Sequence, residues 1–217
     1  MTRIKICGLT GEGDARHAAA CGAQFLGLVL AESPRRADVS EAGRWLPAIR
    51  REFPAVRVVG VFVRPSAVDV AEAVDRLGLD LVQVYGVEYV AEFPLPRPLI
   101  LAAGPESLAR AAAARPWAIL ADRVGPTGAG GTGTPLDWAA LAAGLPEALR
   151  LAEEPRLFLA GGLDAGNVAE VIRVVQPWAV DASSCLEFAP GRKDPTKVVA
   201  FCEAVRVADA AGSRRAP

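Results

Sequence analysis

Trp117-Ala118-Ile119-Leu120-Ala121-Asp122-Arg123-Val124-Gly125-Pro126-Thr127-Gly128-Ala129-Gly130-Gly131-Thr132-Gly133 is a short apolar run that ends in a carboxyl group and then turns glycine-rich. An apolar run without polar alternation is what a strand buried on both faces requires, and such strands belong to parallel sheets covered by helices. The segment after it holds too much glycine for helix or strand and reads as a loop at the strand's C-terminal end. The stretch is therefore a buried strand, a carboxyl group at its tip, and a lid.

The pattern repeats on both sides. Arg3–Cys7, Phe25–Leu30, Val56–Val63, Leu79–Val84, Leu99–Ala103, Leu157–Ala160 and Trp178–Asp181 join Trp117–Ala121 as strands. Helical periodicity falls between them, over Gly13–Cys21, Ser40–Arg51, Ser66–Leu77, Pro105–Ala114, Leu136–Leu149, Asp164–Val175 and Asp194–Val207. Ser66 and Asp164 are good N-caps and Ser40 a weaker one. Eight strand-then-helix units in 217 residues suit an α/β fold of one (β/α)8 TIM barrel, with a doubly wound open sheet as the alternative. The barrel is expected over residues 1–208, with residues 209–217 as a disordered tail.

Hydrophobic residues make up 52% of the chain and the formal net charge is −1, with no basic block. That excludes nucleic-acid or membrane-surface binding through bulk charge, but leaves room for a small anion held by backbone donors. No apolar run is long enough to span a bilayer and no signal-peptide pattern opens the chain. The four cysteines, Cys7, Cys21, Cys185 and Cys202, form no CxxC pair, as expected of free thiols in a reducing cytoplasm. His17 is the sole histidine and falls mid-helix, so no histidine-based triad or zinc site can be built and no metal is expected.

Chemistry gathers at the strand ends. Cys7 closes the first strand and shares a face with Lys5, roughly 7 Å below it. A thiol acts as a base only when its pKa is lowered, and Lys5 is the candidate influence. Asp122 is the candidate acid, with Gly130, Gly131 and Gly133 in the lid that would close over a ligand. Gly161 and Gly162 follow the seventh strand and Ser183 and Ser184 the eighth, where barrels of this kind bind phosphate. Arg35 and Arg36 follow the second strand, where a planar guanidinium could clamp a carboxylate.

Taken in order, Lys5-Ile6-Cys7-Gly8-Leu9-Thr10, Ser33-Pro34-Arg35-Arg36, Val59-Gly60-Val61-Phe62-Val63, Val82-Gln83, Asp122 with Gly130-Gly131-Thr132-Gly133, Ala160-Gly161-Gly162-Leu163, Asn167-Val168, Val180-Asp181 with Ser183-Ser184, and Pro190-Gly191-Arg192-Lys193-Asp194 resemble phosphoribosylanthranilate isomerase over nearly the whole chain. The resemblance implies an Amadori rearrangement in tryptophan biosynthesis. Cys7 would be the general base, Asp122 the general acid, and Arg36, Gln83 and Asp181 substrate-binding residues. Gly161, Gly162, Ser183 and Ser184 would hold the phosphate. It implies a small phosphorylated substrate, no cofactor, and a monomer or homodimer.

Three positions depart from the family's pattern: Tyr85 and Cys185 stand where it has histidine and glycine, and Leu101 where it often has lysine. If position 185 needs positive φ, cysteine would be strained there. The rival enzyme is the histidine-pathway isomerase, which places an aspartate where Cys7 stands. The rival of another class is a catalytically silent or altered-specificity phosphate-binding barrel.

Overall fold

The structure, a computed structural model, describes residues 1–86, 96–123, 137–145, 149 and 155–213. The eight apolar runs form β1 (Arg3–Cys7), β2 (Phe25–Val29), β3 (Arg57–Val63), β4 (Leu81–Tyr85), β5 (Leu99–Ala103), β6 (Ala118–Ala121), β7 (Arg156–Leu159) and β8 (Ala179–Ala182). Each pairs in parallel with the next, and β8 closes on β1 from Arg3↔Ala179 to Ile6↔Ala182. The fold is the closed barrel, not the open sheet.

Helices α1 (Glu12–Ala20), α2 (Val39–Glu52), α3 (Ala67–Leu77), α4 (Leu108–Ala113), α5 (Trp138–Gly144), α6 (Val168–Val175) and α7 (Pro195–Ser213) cover it. Ser66 caps α3 in a reciprocal box with Asp69, as its sequence suggests. Elsewhere the starts move. The N-cap of α2 is Asp38, which accepts from the Glu41 N–H, so Ser40 lies inside the helix. Asp164 instead builds a turn, its carboxylate accepting from the N–H groups of Gly166 and Asn167, and α6 begins only at Val168. Pro105–Ser107 is a separate 3-10 turn before α4. At the C-terminus the expected boundary is corrected: α7 runs to Ser213, and Asp209 accepts hydrogen bonds from the Thr2 N–H and hydroxyl at 2.6 and 2.7 Å. That pairing ties the two chain ends together and orders residues beyond 208.

Strand alternation sorts the apolar side chains into two layers. Ile4, Ile6, Leu26, Leu28, Val82 and Leu101 face outward against the helices. Phe25, Val59, Leu81, Ile100, Leu120 and Phe158 fill the interior. The interior floor is aromatic: Phe25, Phe158, Trp117 and Trp178 meet with ring centroids 5.3 to 6.5 Å apart. Arg3 lies 4.0 Å from the Trp178 centroid and Arg156 4.6 Å from that of Trp117, closing the plug with cation–π contacts. The opposite end, where the strands' C-termini emerge, is left for the site. A hairpin not foreseen from the sequence, β9 (Glu187–Ala189) and β10 (Arg192–Lys193), follows β8 there.

Candidate active site

The strand ends surround an open cavity. Cys7, Asp122, Asp181, Gly161, Gly162, Ser183 and Ser184 all line it, although they come from strand ends spread across the chain. The lid glycines Gly130, Gly131 and Gly133 lie outside the described residues. Among the described residues no helix is long and apolar enough to cross a membrane, and no group of three or more His, Cys, Asp or Glu could hold a metal.

Cys7 ends β1 facing inward, beside Gly27 of β2. A Cβ at position 27 would lie 2.7 Å from the sulfur, so glycine makes the room the thiol occupies. Lys5, two residues below on the same face, is fully buried and donates to Asp181 Oδ2 at 2.7 Å. Burial alone would lower the Lys5 pKa, but Asp181 and Cys7 together hold it above its ordinary value, so it stays a cation. The expected lowering of Cys7 is corrected. Burial pushes the thiol above its ordinary value; Lys5 pulls it back only in part because Asp181, its ion-pair partner, opposes it.

Asp122 follows β6 and is 5% exposed. Its Oδ2 accepts from the Tyr85 hydroxyl at 2.8 Å and its Oδ1 from the Arg123 N–H at 2.7 Å. Burial raises its pKa and nearby Asp181 adds to this, against the two hydrogen bonds. Tyr85 is itself a cavity wall and its hydroxyl is pushed well above its ordinary value by burial and by Asp122. In the sequence Tyr85 shows only as a departure from the family's histidine; its signal is its place two residues after Gln83, at the inward-facing end of β4. Gln83 is not a cavity wall: it sits deeper in the barrel, 1% exposed, with Oε1 buried and unpartnered. Asp181 Oδ1 is likewise buried without a partner, but its residue faces the cavity.

The arginine pair divides. Arg36 is exposed and lines a neighbouring surface cavity, whereas Arg35 lines the central one, which corrects the sequence choice between them. Adjacent residues leave a chain on different sides, and nothing in a two-arginine run says which side faces the barrel mouth. Arg35 is held by Glu187.

The glycine turn after β7 is built as glycine requires, with φ +92° at Gly161 and +75° at Gly162. Asn167 braces it by donating from Nδ2 to the Gly162 carbonyl at 2.9 Å. After β8, Ser184–Leu186 makes one 3-10 turn whose first N–H groups have no acceptor within the turn. The Ser183 hydroxyl donates to the Cys7 carbonyl at 3.0 Å. Cys185 does not have positive φ, so cysteine carries no backbone strain there. Leu101 belongs to the outer layer and faces away from the cavity, so its departure does not touch the site.

A model of the N-(5'-phosphoribosyl)anthranilate isomerase family matches residues 4–204. The N-(5'-phosphoribosyl)anthranilate isomerase of Citrifermentans bemidjiense is 43% identical over 203 residues, covering 91% of this chain and 94% of the relative. Among solved structures, monomers made from the dimeric enzyme of Thermotoga maritima match with TM-score 0.75 and 30% identity over 95% of this chain and all of theirs. A phosphoribosyl anthranilate isomerase bound to reduced 1-(o-carboxyphenylamino)-1-deoxyribulose 5-phosphate matches with TM-score 0.74 and 29% identity over 95% of this chain and 100% of its own.

Proposed function

The chain belongs to the N-(5'-phosphoribosyl)anthranilate isomerase family, and from that premise we propose which of its residues carry the rearrangement. The reaction converts N-(5'-phosphoribosyl)anthranilate to 1-(2-carboxyphenylamino)-1-deoxyribulose 5-phosphate, an aldose-to-ketose isomerisation of tryptophan biosynthesis. The observation that carries the assignment is that the Cys7 thiol and the buried Asp122 carboxyl group line the same cavity from the ends of β1 and β6.

Asp122, protonated, gives its proton to the ribose ring oxygen as the C1'–O bond breaks and the nitrogen lone pair forms a protonated imine that keeps its N–H. Its raised pKa keeps it protonated further up the pH scale than an ordinary aspartic acid. Cys7, as thiolate, then takes the C2' proton, and the electrons move into the imine to give an enolamine that tautomerises to the ketone. The imine is the electron sink, so no cofactor enters. Asp181 Oδ1, buried and unpartnered, awaits the substrate's anilinic N–H. Arg35 takes the carboxylate in place of Arg36. Phosphate is held by N–H groups around Gly162 and the Ser184 turn; the Ser183 hydroxyl is already committed to Cys7.

All four cysteines are free thiols, which suits a reducing cytoplasm.

The test is the loss of anthranilate-adduct fluorescence on freshly made phosphoribosylanthranilate. Wild type is expected to turn over, with Cys7→Ala and Asp122→Asn each slower by about 100-fold or more. Wild type that binds ligand without turnover would return the chain to the phosphate-binding barrel.

A further inference from the structure

Behind the cavity lie two charges with no part in the chemistry above: the Glu187 carboxylate and the Lys193 ammonium, whose side chains are 5% and 1% exposed. Buried charges are retained at a cost to stability unless they hold something in place. Their contacts identify what is held. Both oxygens of Glu187 accept from Arg35 Nε, at 3.0 and 3.1 Å. Lys193 Nζ donates to Glu187 Oε1 at 2.9 Å and to the Ser183 carbonyl at 3.1 Å. Glu187 and Lys193 face each other across the β9–β10 hairpin.

The tip of that hairpin reaches the same target. Gly191 has φ +75°, and a Cβ there would lie 3.3 Å from the Pro34 carbonyl oxygen and 3.7 Å from Arg35 Cα. Its carbonyl accepts from the Thr10 hydroxyl at 2.7 Å. The hairpin thus holds the Arg35 side chain through its first strand, while its tip lies beside the Pro34–Arg35 backbone with no room for a side chain between them.

We propose that the β9–β10 hairpin is a strap that aims Arg35 at the substrate carboxylate, with Glu187 as the positioning residue. The inference rests on the reading of Arg35 as the carboxylate's partner. With Nε committed to Glu187, the donors left for a ligand are the two terminal NH2 groups, which form a two-pronged edge matching a carboxylate. Charge follows the same logic. Glu187 is shared between two cations, so Lys193 absorbs part of its charge and Arg35 keeps a net attraction for an anion. Lys193 also ties the strap to Ser183, beside the phosphate turn, so the grips for the two anionic ends of the substrate are registered against one hairpin.

The probes are two stable amines made by reducing the imines of ribose 5-phosphate with anthranilate and with aniline, which differ only in the carboxylate. Binding of each is measured by calorimetry to the wild type, Arg35→Met, Glu187→Gln and the double variant. The wild type should favour the carboxylated probe, Arg35→Met should abolish the preference, and Glu187→Gln should reduce it by about tenfold. Affinity for the aniline probe should be unchanged in Glu187→Gln, and Glu187→Gln should add nothing in the Arg35→Met background. If Arg35→Met keeps the preference, the carboxylate reading of Arg35 fails. If Arg35→Met loses it while Glu187→Gln keeps it, that reading stands and the strap fails. Equal loss for both probes in Glu187→Gln also overturns positioning, because it signals general damage to the site. Should Glu187→Gln not fold, Gly191→Ala, which presses on Pro34 without altering charge, must give the same carboxylate-selective loss.

Discussion

The proposed roles need Cys7 ionised and Asp122 protonated at the same moment, yet burial raises both from ordinary values of which the thiol's is the higher. Only a small fraction of the free enzyme is then in the active form, and that fraction is constant between the two values. The low-pH limb of kcat/KM reports Asp122 and the high-pH limb reports Cys7. Lys5→Met removes the cation that pulls the thiol down, so the high-pH limb is expected to move further up and the plateau to fall. The same variant leaves Asp181 buried without its partner, at a cost of about 3–5 kcal/mol, visible in denaturant unfolding. An unchanged limb would clear Lys5 of any part in setting the thiol. Asp122 carries a second consequence. Its folded pKa lies above its unfolded one, so its contribution to stability is full below the unfolded value and lost as pH rises through the folded one. Asp122→Asn should therefore gain Tm relative to wild type on going from acid to neutral pH, while losing activity. A variant Tm that falls relative to wild type over that range would contradict the assignment.

At the scale of elements, the turn after β8 carries the departure at Cys185. Because Cys185 has no positive φ, Cys185→Gly should relieve nothing. KM for phosphoribosylanthranilate is expected within about twofold of wild type, and Gly162→Ala, at φ +75°, should raise it by far more. A marked improvement in Cys185→Gly would mean the cysteine does obstruct the turn. Leu99–Ala103 was legible to the residue because a parallel strand buried on both faces writes itself as an unbroken apolar run; Arg3–Cys7, also matched to the residue, is broken by Arg3 and Lys5 and was legible from its isoleucines and from its place in the repeat. Cys7, Asp122 and the turns after β7 and β8 stood out because each sits where a strand stops, and the structure brings them to one cavity. What stayed hidden depends on direction rather than position. Arg35 and Arg36 are neighbours on opposite sides of one loop, Leu101 faces the helices, and Gln83 sits a layer below the cavity that Tyr85 reaches. The β9–β10 hairpin is too short to print an alternation.

For the whole molecule, the two apolar layers divide the work. The outer layer fastens helices to strands, while the inner one ends in the aromatic floor opposite the cavity. Phe158 is fully buried in that floor, so Phe158→Ala should lower unfolding free energy by about 3–5 kcal/mol while KM stays near wild type. A large KM change with little loss of stability would mean the floor shapes the site directly. The plug of Phe25, Trp117, Phe158 and Trp178 also makes the barrel a cul-de-sac. Substrate and product must share the one mouth, and an isomerisation alters neither the phosphate nor the carboxylate by which either is gripped. Finished product is thus a natural competitor for the next substrate, and throughput depends on whatever consumes it downstream.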